Sequence, residues 1–301
     1  MTNPIGTSPD SSLTLGQATV YKSQYDKSLL YPIARQNTRR DLFADEALPF
    51  VGSDIWTGYE VSWLNAQGKP QLRLVEFIFS HDTINIIESK SFKLYLNSFN
   101  QTKFNSERDV KLVMLKDLSA AAVGALDILF YDLDDADNLA IDILPGYCID
   151  ECDISVEHYH PEAQLLRATQ DEYKKVGQDA SKETILATTV ENDMLYSHLL
   201  KTNCPVTNQP DWATIFIQYS GPKIKGENLL AYLISFREHQ DFHENCVEQI
   251  FFDIKQQCKP TSLAVYARYT RRGGLDINPI RVSLNNPEQP FKNLRLRTRR
   301  Q

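Results

Sequence analysis

A cysteine in a polar loop is the first feature of this sequence that could carry chemistry. Cys204 lies in residues 203–212, NCPVTNQPDW, a stretch rich in proline and asparagine between two predicted strands. A loop exposes a thiol to a ligand, whereas structural cysteines usually lie on apolar faces. Asp211 can approach Cys204 across the hairpin, and a carboxyl group can supply the proton that addition of a thiol to a C=N or C≡N group requires. An incidental loop cysteine is the alternative.

A histidine and a glutamate stand at the start of the last long predicted helix, in residues 241–246, DFHENC. If Asp241 caps this helix, Glu244 closes a capping box and its role is structural. If the helix presents its N-terminus to a ligand, His243 and Glu244 offer a hydrogen-bond donor and a carboxylate acceptor together. The spacing alone leaves both interpretations open.

A third segment, residues 86–99, has the sequence IIESKSFKLYLNSF. Its charged residues surround an apolar and aromatic stripe, and they are Glu88, Lys90 and Lys93. Such a pattern is ordinarily the solvated edge of an amphipathic helix.

A fourth segment, residues 269–279, has the sequence YTRRGGLDINP. Two arginines beside Gly273 and Gly274 allow a phosphate to approach both guanidinium and backbone N–H groups. The chain contains no G-x-G-x-x-G motif. A bound nucleotide must therefore be held by something other than a Rossmann fingerprint or a phosphate loop.

The cysteine pattern argues against a metal site. An odd number of cysteines, 5 in a chain of 301 residues, favours free thiols over a secreted disulfide framework. Cys148 and Cys152, followed by His158 and His160, are the cluster that most suggests zinc. Their C-x3-C spacing matches no common structural zinc pattern. We therefore expect cysteines in or beside a strand, and no metal.

The overall charge argues against direct contact with nucleic acid. The formal charge is -7 and the pI is about 5.4, so no positive field gathers a polyanion. We expect the basic run from Arg295 to Arg300 to be a solvated tail. The sequence shows neither the apolar run of a membrane span nor the apolar core of a signal peptide, and we expect a cytoplasmic protein.

The elements that position these residues alternate between strands and helices. Tyr59, Val61 and Trp63 alternate with polar residues, and a turn at residues 65–70 leads to a second apolar run, which predicts a hairpin. Ser106 is a plausible cap for the helix that follows, and a strand is predicted at 126–133. The second half predicts strands at 194–200, 212–219 and 263–269 and helices at 227–236 and 242–257.

The two halves are related by an internal repeat. A single offset of 137 positions aligns identical residues: Tyr95 with Tyr232, Leu96 with Leu233, Ser98 with Ser235, Phe99 with Phe236, Glu107 with Glu244, and Val110 with Val247. Over residues 95–110, chance would give about one identity with the second half at this offset. The order of hairpin, two helices and strands, occurring twice, predicts an α+β chain with antiparallel sheets.

Several of these motifs together resemble the QueF family. The octapeptide ESKSFKLY at residues 88–95 resembles the family signature, and NCPVTNQPD at 203–211 resembles its nucleophile loop. The sequence DIWTGYEVSWLN at 54–65, the FHE at 242–244 and YTRRGGLDINP also fit. The resemblance runs from Leu15 to about Pro279, in the long, duplicated form of the family. Residues 134–181 and the final twenty match least well.

The resemblance implies a fold and an activity. The fold is two tandem tunnelling-fold (T-fold) modules, each an antiparallel sheet with paired helices, as in GTP cyclohydrolase I. The activity is reduction of the nitrile 7-cyano-7-deazaguanine to the aminomethyl compound, with two NADPH and no metal, in queuosine biosynthesis. Cys204 would form a covalent thioimidate with the nitrile carbon, and Asp211 would deliver the proton. A homodimer is also expected.

The resemblance further implies which residues bind each ligand. Substrate-binding positions match Ile87, Glu88, Ser89, His243 and Glu244, and NADPH-binding positions match Ser89, Lys90, Arg272 and Gly273. Glu244 would accept hydrogen bonds from the donor edge of the deazapurine, and His243 would orient the ring. Because these residues come from both halves, we expect the site to lie between the modules.

The predicted boundaries follow the repeat. They are an N-terminal extension at 1–45, a first module at 46–135, a connector at 136–185, a second module at 186–285 with the nucleophile loop, and a basic tail at 286–301. Two other functions stay open from the residues alone. One is a zinc-dependent, cyclohydrolase-like hydrolase in which Cys204 is a metal ligand, and the other is a non-catalytic purine-binding or tRNA-binding module.

Overall fold

The computed structural model describes residues 21–43, 47–134, 141, 144–166, 189–285 and 297–301. The strands are β1 (Pro32–Ala34), β2 (Phe50–Leu64), β3 (Pro70–Ser80), β4 (Asn85–Ile87), β5 (Leu126–Tyr131), β6 (Tyr147–Cys148), β7 (Thr189–Asn203), β8 (Pro210–Pro222), β9 (Ser262–Tyr269) and β10 (Leu275–Ser283). The helices are α1 (Arg35–Phe43), α2 (Ser89–Asn97), α3 (Glu107–Ala122), α4 (Gly226–Ser235) and α5 (His243–Cys258).

The main sheet is continuous across both halves of the chain. Its eight strands have the order β5-β3-β2-β10-β9-β8-β7-β6, and β1 and β4 form a separate two-stranded sheet. Strand β10 pairs with β9 of its own half and with β2 of the first half, so one strand joins the two halves. All pairs in the main sheet are antiparallel except β6 with β7. The predicted α+β class with antiparallel sheet is confirmed.

The two predicted hairpins and the helix pairs form as expected. The turn after Leu64 is closed by Asn65, whose side chain accepts from the backbone of Gln67 and Lys69. Ser106 caps α3 by accepting from the Asp109 N–H at 3.2 Å. In each half the helices pack their apolar faces on one face of the sheet, which produces two separate hydrophobic cores.

The internal repeat is visible in side-chain contacts as well as in sequence. The Tyr95 hydroxyl donates to Asp117 at 2.9 Å, and the Tyr232 hydroxyl donates to Asp253 at 2.6 Å. Ser98 and Ser235 each donate to the carbonyl of the tyrosine three residues earlier at 2.6 Å. The same tyrosine-to-aspartate bond therefore fastens the helix pair in both halves.

The prediction of a solvated C-terminal tail is only partly right for the residues that the structure describes there, because Arg299 and Arg300 are exposed whereas Thr298 and Gln301 are buried. Gln301 is buried, accepts from the Arg268 Nε at 2.9 Å, and donates to the Tyr269 carbonyl at 3.0 Å. Arg297 lies 5.3 Å from the ring centre of Tyr59. The buried Arg268 guanidinium needs an acceptor, and Gln301 supplies one. Arg295 lies outside the described residues.

Much of the predicted connector and N-terminal extension lies outside the described residues. The described part of the connector, 144–166, packs against the second half, where Ile149 and Leu166 join the core. The boundaries at 45, 135, 185 and 285 stay predictions. No helix in the described parts of the chain is long and apolar enough to cross a membrane.

Candidate functional site

The predicted nucleophile loop connects the ends of β7 and β8. Its backbone closes on itself, because the Cys204 N–H donates to the Gln209 carbonyl at 2.9 Å and the Asn208 N–H donates to the Cys204 carbonyl at 3.0 Å. Asn208 has a φ of 55°, a left-handed conformation that asparagine tolerates. The loop thus holds the Cys204 thiol at a defined place, where it is partly exposed.

Asp211 is fixed by the register of the same hairpin. It lies opposite Thr202 on β7 and is 4% exposed. Its Oδ1 is 2.7 Å from Arg272 Nη2, and its Oδ2 is 3.3 Å from His243 Nε2. Arg272 is held in turn by Gln209, which accepts from its Nη1 at 2.6 Å. Asp211 therefore faces the Arg272 guanidinium with one oxygen and the His243 ring with the other.

His243 is held by stacking. Its ring lies parallel to that of the buried Tyr269, with centroids 3.7 Å apart. The Nδ1 atom is buried and has no hydrogen-bond partner. This nitrogen is therefore available to a ligand, as a donor or an acceptor according to tautomer.

The capping-box interpretation of Glu244 is wrong. The N-cap of α5 is Phe242, not Asp241, and no side chain caps the helix. Asp241 accepts instead from the Phe242 N–H at 2.7 Å and the Asn245 Nδ2 at 2.9 Å. Because the helix begins one residue later than a capping box from Asp241 requires, Glu244 is the second helical residue and not the third.

The Glu244 carboxyl is buried without a side-chain partner. It is 2% exposed, and within the described chain no side chain forms a hydrogen bond or ion pair with it. Burial is the main cause that raises the pKa of Glu244 to about 7, Asp54 adds to the rise, and Arg35 and His243 oppose it. Buried carboxyl groups are normally satisfied by hydrogen bonds. One that lines a cavity and has no side-chain partner is a candidate acceptor for a ligand.

Glu88 contradicts the expectation of a solvated helix edge. It is 3% exposed and caps α2, accepting from the Lys90 N–H at 2.8 Å and the Ser91 N–H at 2.6 Å. Burial raises the pKa of Glu88, although the two backbone donors act in the opposite direction. The carboxyl group thus has a structural role, and its predicted role in binding substrate stays a prediction.

All ten residues predicted for the site line one cavity of about 380 Å³. The first half contributes Ile87, Glu88, Ser89 and Lys90, and the second half contributes Cys204, Asp211, His243, Glu244, Arg272 and Gly273. The cavity therefore lies where the two halves meet, as the sequence predicts. Its volume falls in the range that accommodates a small molecule.

The cavity is also lined by residues for which the sequence predicted no role in ligand binding. They include Trp56, Lys93, Phe242, Leu275 and Ile277. Lys93 is placed by Gly273, whose φ is +59° and whose position would put an added Cβ 1.7 Å from the Lys93 Nζ. The two adjacent glycines in the sequence indicate that another group approaches the backbone closely. They do not identify that group as Lys93.

The described residues contain one group that could hold a metal ion, and it is not at this cavity. It consists of Cys148, Asp150 and His198. Asp150 already accepts from the Ser197 hydroxyl at 2.6 Å and from the His198 N–H. The group does not include Cys204, His158 or His160, so nothing in the described chain supports Cys204 as a metal ligand.

Two segments of the chain match known families. Residues 21–130 match the family described as "Nitrile reductase, 7-cyano-7-deazaguanine-reductase N-term", and residues 210–288 match the family described as "QueF-like protein". Among solved structures, the apo archaeosine synthase QueF-Like is 16% identical with a TM-score of 0.28, covering 32% of this chain and 93% of that one.

Three curated relatives bear the name NADPH-dependent 7-cyano-7-deazaguanine reductase. The protein from Hydrogenovibrio crunogenus is 50% identical over 297 residues, which are 98% of this chain and 99% of the relative. The proteins from Burkholderia multivorans and Cupriavidus pinatubonensis are each 50% identical over 91% of this chain and 94% of the relative.

Proposed function

This chain belongs to the QueF family of NADPH-dependent 7-cyano-7-deazaguanine reductases, and we propose that it reduces 7-cyano-7-deazaguanine to 7-aminomethyl-7-deazaguanine for tRNA queuosine. The observation that carries the proposal is the convergence of Cys204, Asp211 and the buried Glu244 on one cavity. A nucleophile, a proton source and an acceptor for a guanine-like edge are the groups that this reaction needs.

The first step is covalent. The Cys204 thiol gives its proton to the Asp211 carboxylate as the sulfur adds to the nitrile carbon, which turns the C≡N bond into the C=N bond of a thioimidate and places negative charge on nitrogen. Asp211, in the same cavity, delivers a proton to that nitrogen. His243 Nε2 lies 3.3 Å from Asp211 Oδ2, so a proton can pass between the histidine ring and the Asp211 carboxyl group.

The later steps reduce the adduct twice. Two NADPH molecules, used in turn, supply the two hydrides. Addition of the first hydride to the thioimidate carbon allows the C–S bond to break, which releases the Cys204 thiolate and an imine. Addition of the second hydride to the imine carbon, with a further proton on nitrogen, gives the amine.

The deazapurine and the cofactor are assigned to different walls of the cavity. Glu244 and His243 would bind the deazapurine ring from the second half, and Ile87, Glu88 and Ser89 would complete that pocket from the first. Ser89, Lys90, Arg272 and Gly273 would hold NADPH, and the positive charges of Lys90, Lys93 and Arg272 on the wall suit its phosphates. Arg272 contacts Asp211 at 2.7 Å, so it would turn from that carboxylate to reach a phosphate.

The assay for this function follows NADPH absorbance when the purified protein is mixed with 7-cyano-7-deazaguanine. We expect oxidation of two NADPH per nitrile consumed, and no loss of rate after treatment with a chelator. Absence of oxidation together with tight binding of the nitrile would favour a non-catalytic purine-binding module. Loss of activity on chelation would favour a metal-dependent enzyme.

We also propose that the protein acts in the cytoplasm as a homodimer and does not bind nucleic acid directly. The acidic pI of about 5.4 supports the last point, since binding to a polyanion needs basic surface. Absence of a tRNA mobility shift at low salt is the expected result.

A further inference from the structure

A chain of buried ion pairs connects α1 to α5. Arg39 donates to Glu248 through Nε at 2.8 Å and Nη2 at 2.6 Å. Glu248 also accepts from Arg281, with Nη2 at 2.7 Å. Arg281 Nη1 is 2.8 Å from Asp54, and Asp54 is 2.5 Å from Arg35 Nη2. The chain alternates in charge and has an arginine at each end.

The two ends of this chain differ. Arg39 donates to Glu248 through Nε and Nη2, the same Nη2 also donates to the His81 carbonyl, and the side chain is 12% exposed. Arg35 is 3% exposed, uses Nε on Thr83 at 3.0 Å, and its Nη1 is buried with no hydrogen-bond partner. A buried guanidinium with an unused donor carries positive charge that its partners do not fully compensate.

Glu244 is the carboxyl group that lies level with Arg35, the arginine with the unused donor. It lies one helical turn before Glu248 on α5, just as Arg35 lies one turn before Arg39 on α1, and residues four apart share a face of a helix. The Arg39–Glu248 ion pair and the Phe43–Phe252 ring contact at 5.4 Å show that α1 and α5 run side by side in the same direction, which brings Arg35 to the level of Glu244. The charged groups that act on Glu244 are Arg35 from α1, Asp54 from β2 and its neighbour His243. Arg35 and Asp54 are themselves an ion pair, so the balance between them sets the field at Glu244.

We propose that Arg35 is a positioning residue for substrate recognition, whose buried positive charge acts on the Glu244 carboxyl that would accept from the deazapurine edge. This inference rests on the proposed function, because it assigns to Glu244 the role of substrate acceptor. It adds a residue of the N-terminal segment, which touches neither ligand, to the machinery that selects the nitrile.

The sign of the effect follows from the charges. With a pKa of about 7, Glu244 is ionised above neutral pH and protonated below it, so nitrile affinity falls as the pH drops through that value. Removal of the Arg35 charge raises the pKa further and moves the fall to higher pH. Removal of the Asp54 charge lowers the pKa and moves the fall to lower pH.

The experiment measures binding of 7-cyano-7-deazaguanine by calorimetry as a function of pH, in a Cys204→Ala background that prevents adduct formation. In Arg35→Met we expect the midpoint to rise by about one pH unit or more, with a loss of affinity near pH 7 of about tenfold. Affinity above that midpoint should approach the parent value. Arg35→Lys keeps the charge and should restore the parent midpoint.

Matched controls separate this role from a loss of packing. Arg39→Met removes an arginine from the other end of the same ion-pair chain and should leave the midpoint in place. In a Glu244→Gln background, Arg35→Met should cause no further pH-dependent change. An unmoved midpoint in Arg35→Met, or an equal movement in Arg39→Met, would overturn the proposal.

A second variant keeps the test decisive if Arg35→Met does not fold. Asp54→Asn should shift the midpoint to lower pH, whereas an unchanged or higher midpoint would contradict the inference. Failure of the proposed function has a different signature, because the parent protein would then bind no nitrile and oxidise no NADPH at any pH.

Discussion

Asp211 and Glu244 are two buried carboxyl groups on one cavity wall in opposite surroundings. Asp211 contacts Arg272 and His243, whereas Glu244 has no side-chain partner among the described residues. The first is thus placed to exchange a proton with a neighbour, and the second to accept hydrogen bonds from a ligand. Two carboxyls in distinct environments can serve two distinct roles in one site.

Replacement of Asp211 tests the proton-delivery role. In Asp211→Asn we expect turnover to fall by about 10²- to 10⁴-fold, the usual contribution of a general acid, while the nitrile still binds. Steady-state rates and nitrile affinity give the two readouts. Asp253→Asn is a matched control, because Asp253 is also buried in the second half and bonds to Tyr232, and it should keep its turnover. A near-normal rate in Asp211→Asn would remove Asp211 from the mechanism.

Replacement of Glu244 tests the substrate-acceptor role. Glutamine exchanges a charged acceptor for a neutral amide, and loss of a charge-assisted pair costs about 1.5 to 3 kcal/mol. We expect nitrile affinity above pH 7 to fall by about one to two orders of magnitude, since about 1.4 kcal/mol is tenfold. Calorimetric titration checks this, and unaltered affinity would return Glu244 to a structural role.

The same variant has a predicted stability profile. The folded pKa of about 7 lies above the ordinary value of 4.5, so the Glu244 contribution to stability is fully present below about pH 4.5 and is lost as the pH rises through 7. Glutamine avoids this loss. The melting temperature of Glu244→Gln should therefore be at least that of the parent near pH 8, and a lower value there would contradict the burial of an unpaired carboxyl.

The segments of the site differ in how much of their structure the sequence could predict. The nucleophile loop, α3 with its Ser106 cap and the two hairpins were predictable, because turn residues, caps and apolar periodicity act locally. The start of α5 was not predictable, because aspartate is a common N-cap residue whereas the Asp241 side chain accepts from Asn245 instead. The burial of Glu88 was also missed, because its place on the cavity wall depends on tertiary packing.

The Gly273 turn offers a test at the level of one structural element. In Gly273→Ala, the new Cβ would overlap Lys93 Nζ and the positive φ would cost about 1 to 2 kcal/mol. We expect the displaced Lys93 to raise the NADPH concentration needed for half-maximal rate more than it weakens nitrile binding. Initial-rate kinetics with each substrate varied gives both values.

Gly68→Ala is the matched control for this change. Gly68 also has a positive φ of +86°, but an added Cβ would come no closer than 3.6 Å to Lys103. It should lose comparable stability and keep its NADPH kinetics. Equal kinetic effects in the two variants would show that strain alone, and not contact with Lys93, explains the result.

For the whole molecule, the sequence repeat predicted two modules but not how they are joined. Pairing of β10 with β2 over residues 275–283 fuses them into one eight-stranded sheet. Such a long-range pairing leaves no local sequence signal, because register depends on both strands. The cavity between the halves depends on this junction, so its residues could be named from motifs but not placed by them.

The homodimer is a prediction about the whole molecule. We expect light scattering after size exclusion to give a mass twice that of the 34.5 kDa chain at all practical concentrations. Strand β5 forms one outer edge of the main sheet, and exposed edges are candidates for pairing with another copy. A monomer mass with full activity would show that one chain contains the complete site.

The central claim is that Cys204 attacks the nitrile, and intact-mass spectrometry tests it most directly. Without NADPH the reaction stops at the thioimidate, so the wild-type protein should gain the mass of one 7-cyano-7-deazaguanine. The gain should be absent in Cys204→Ala and should disappear from the wild type when NADPH is added. A gain that persists in Cys204→Ala, or no gain in a wild-type protein that oxidises NADPH with the nitrile, would contradict the account.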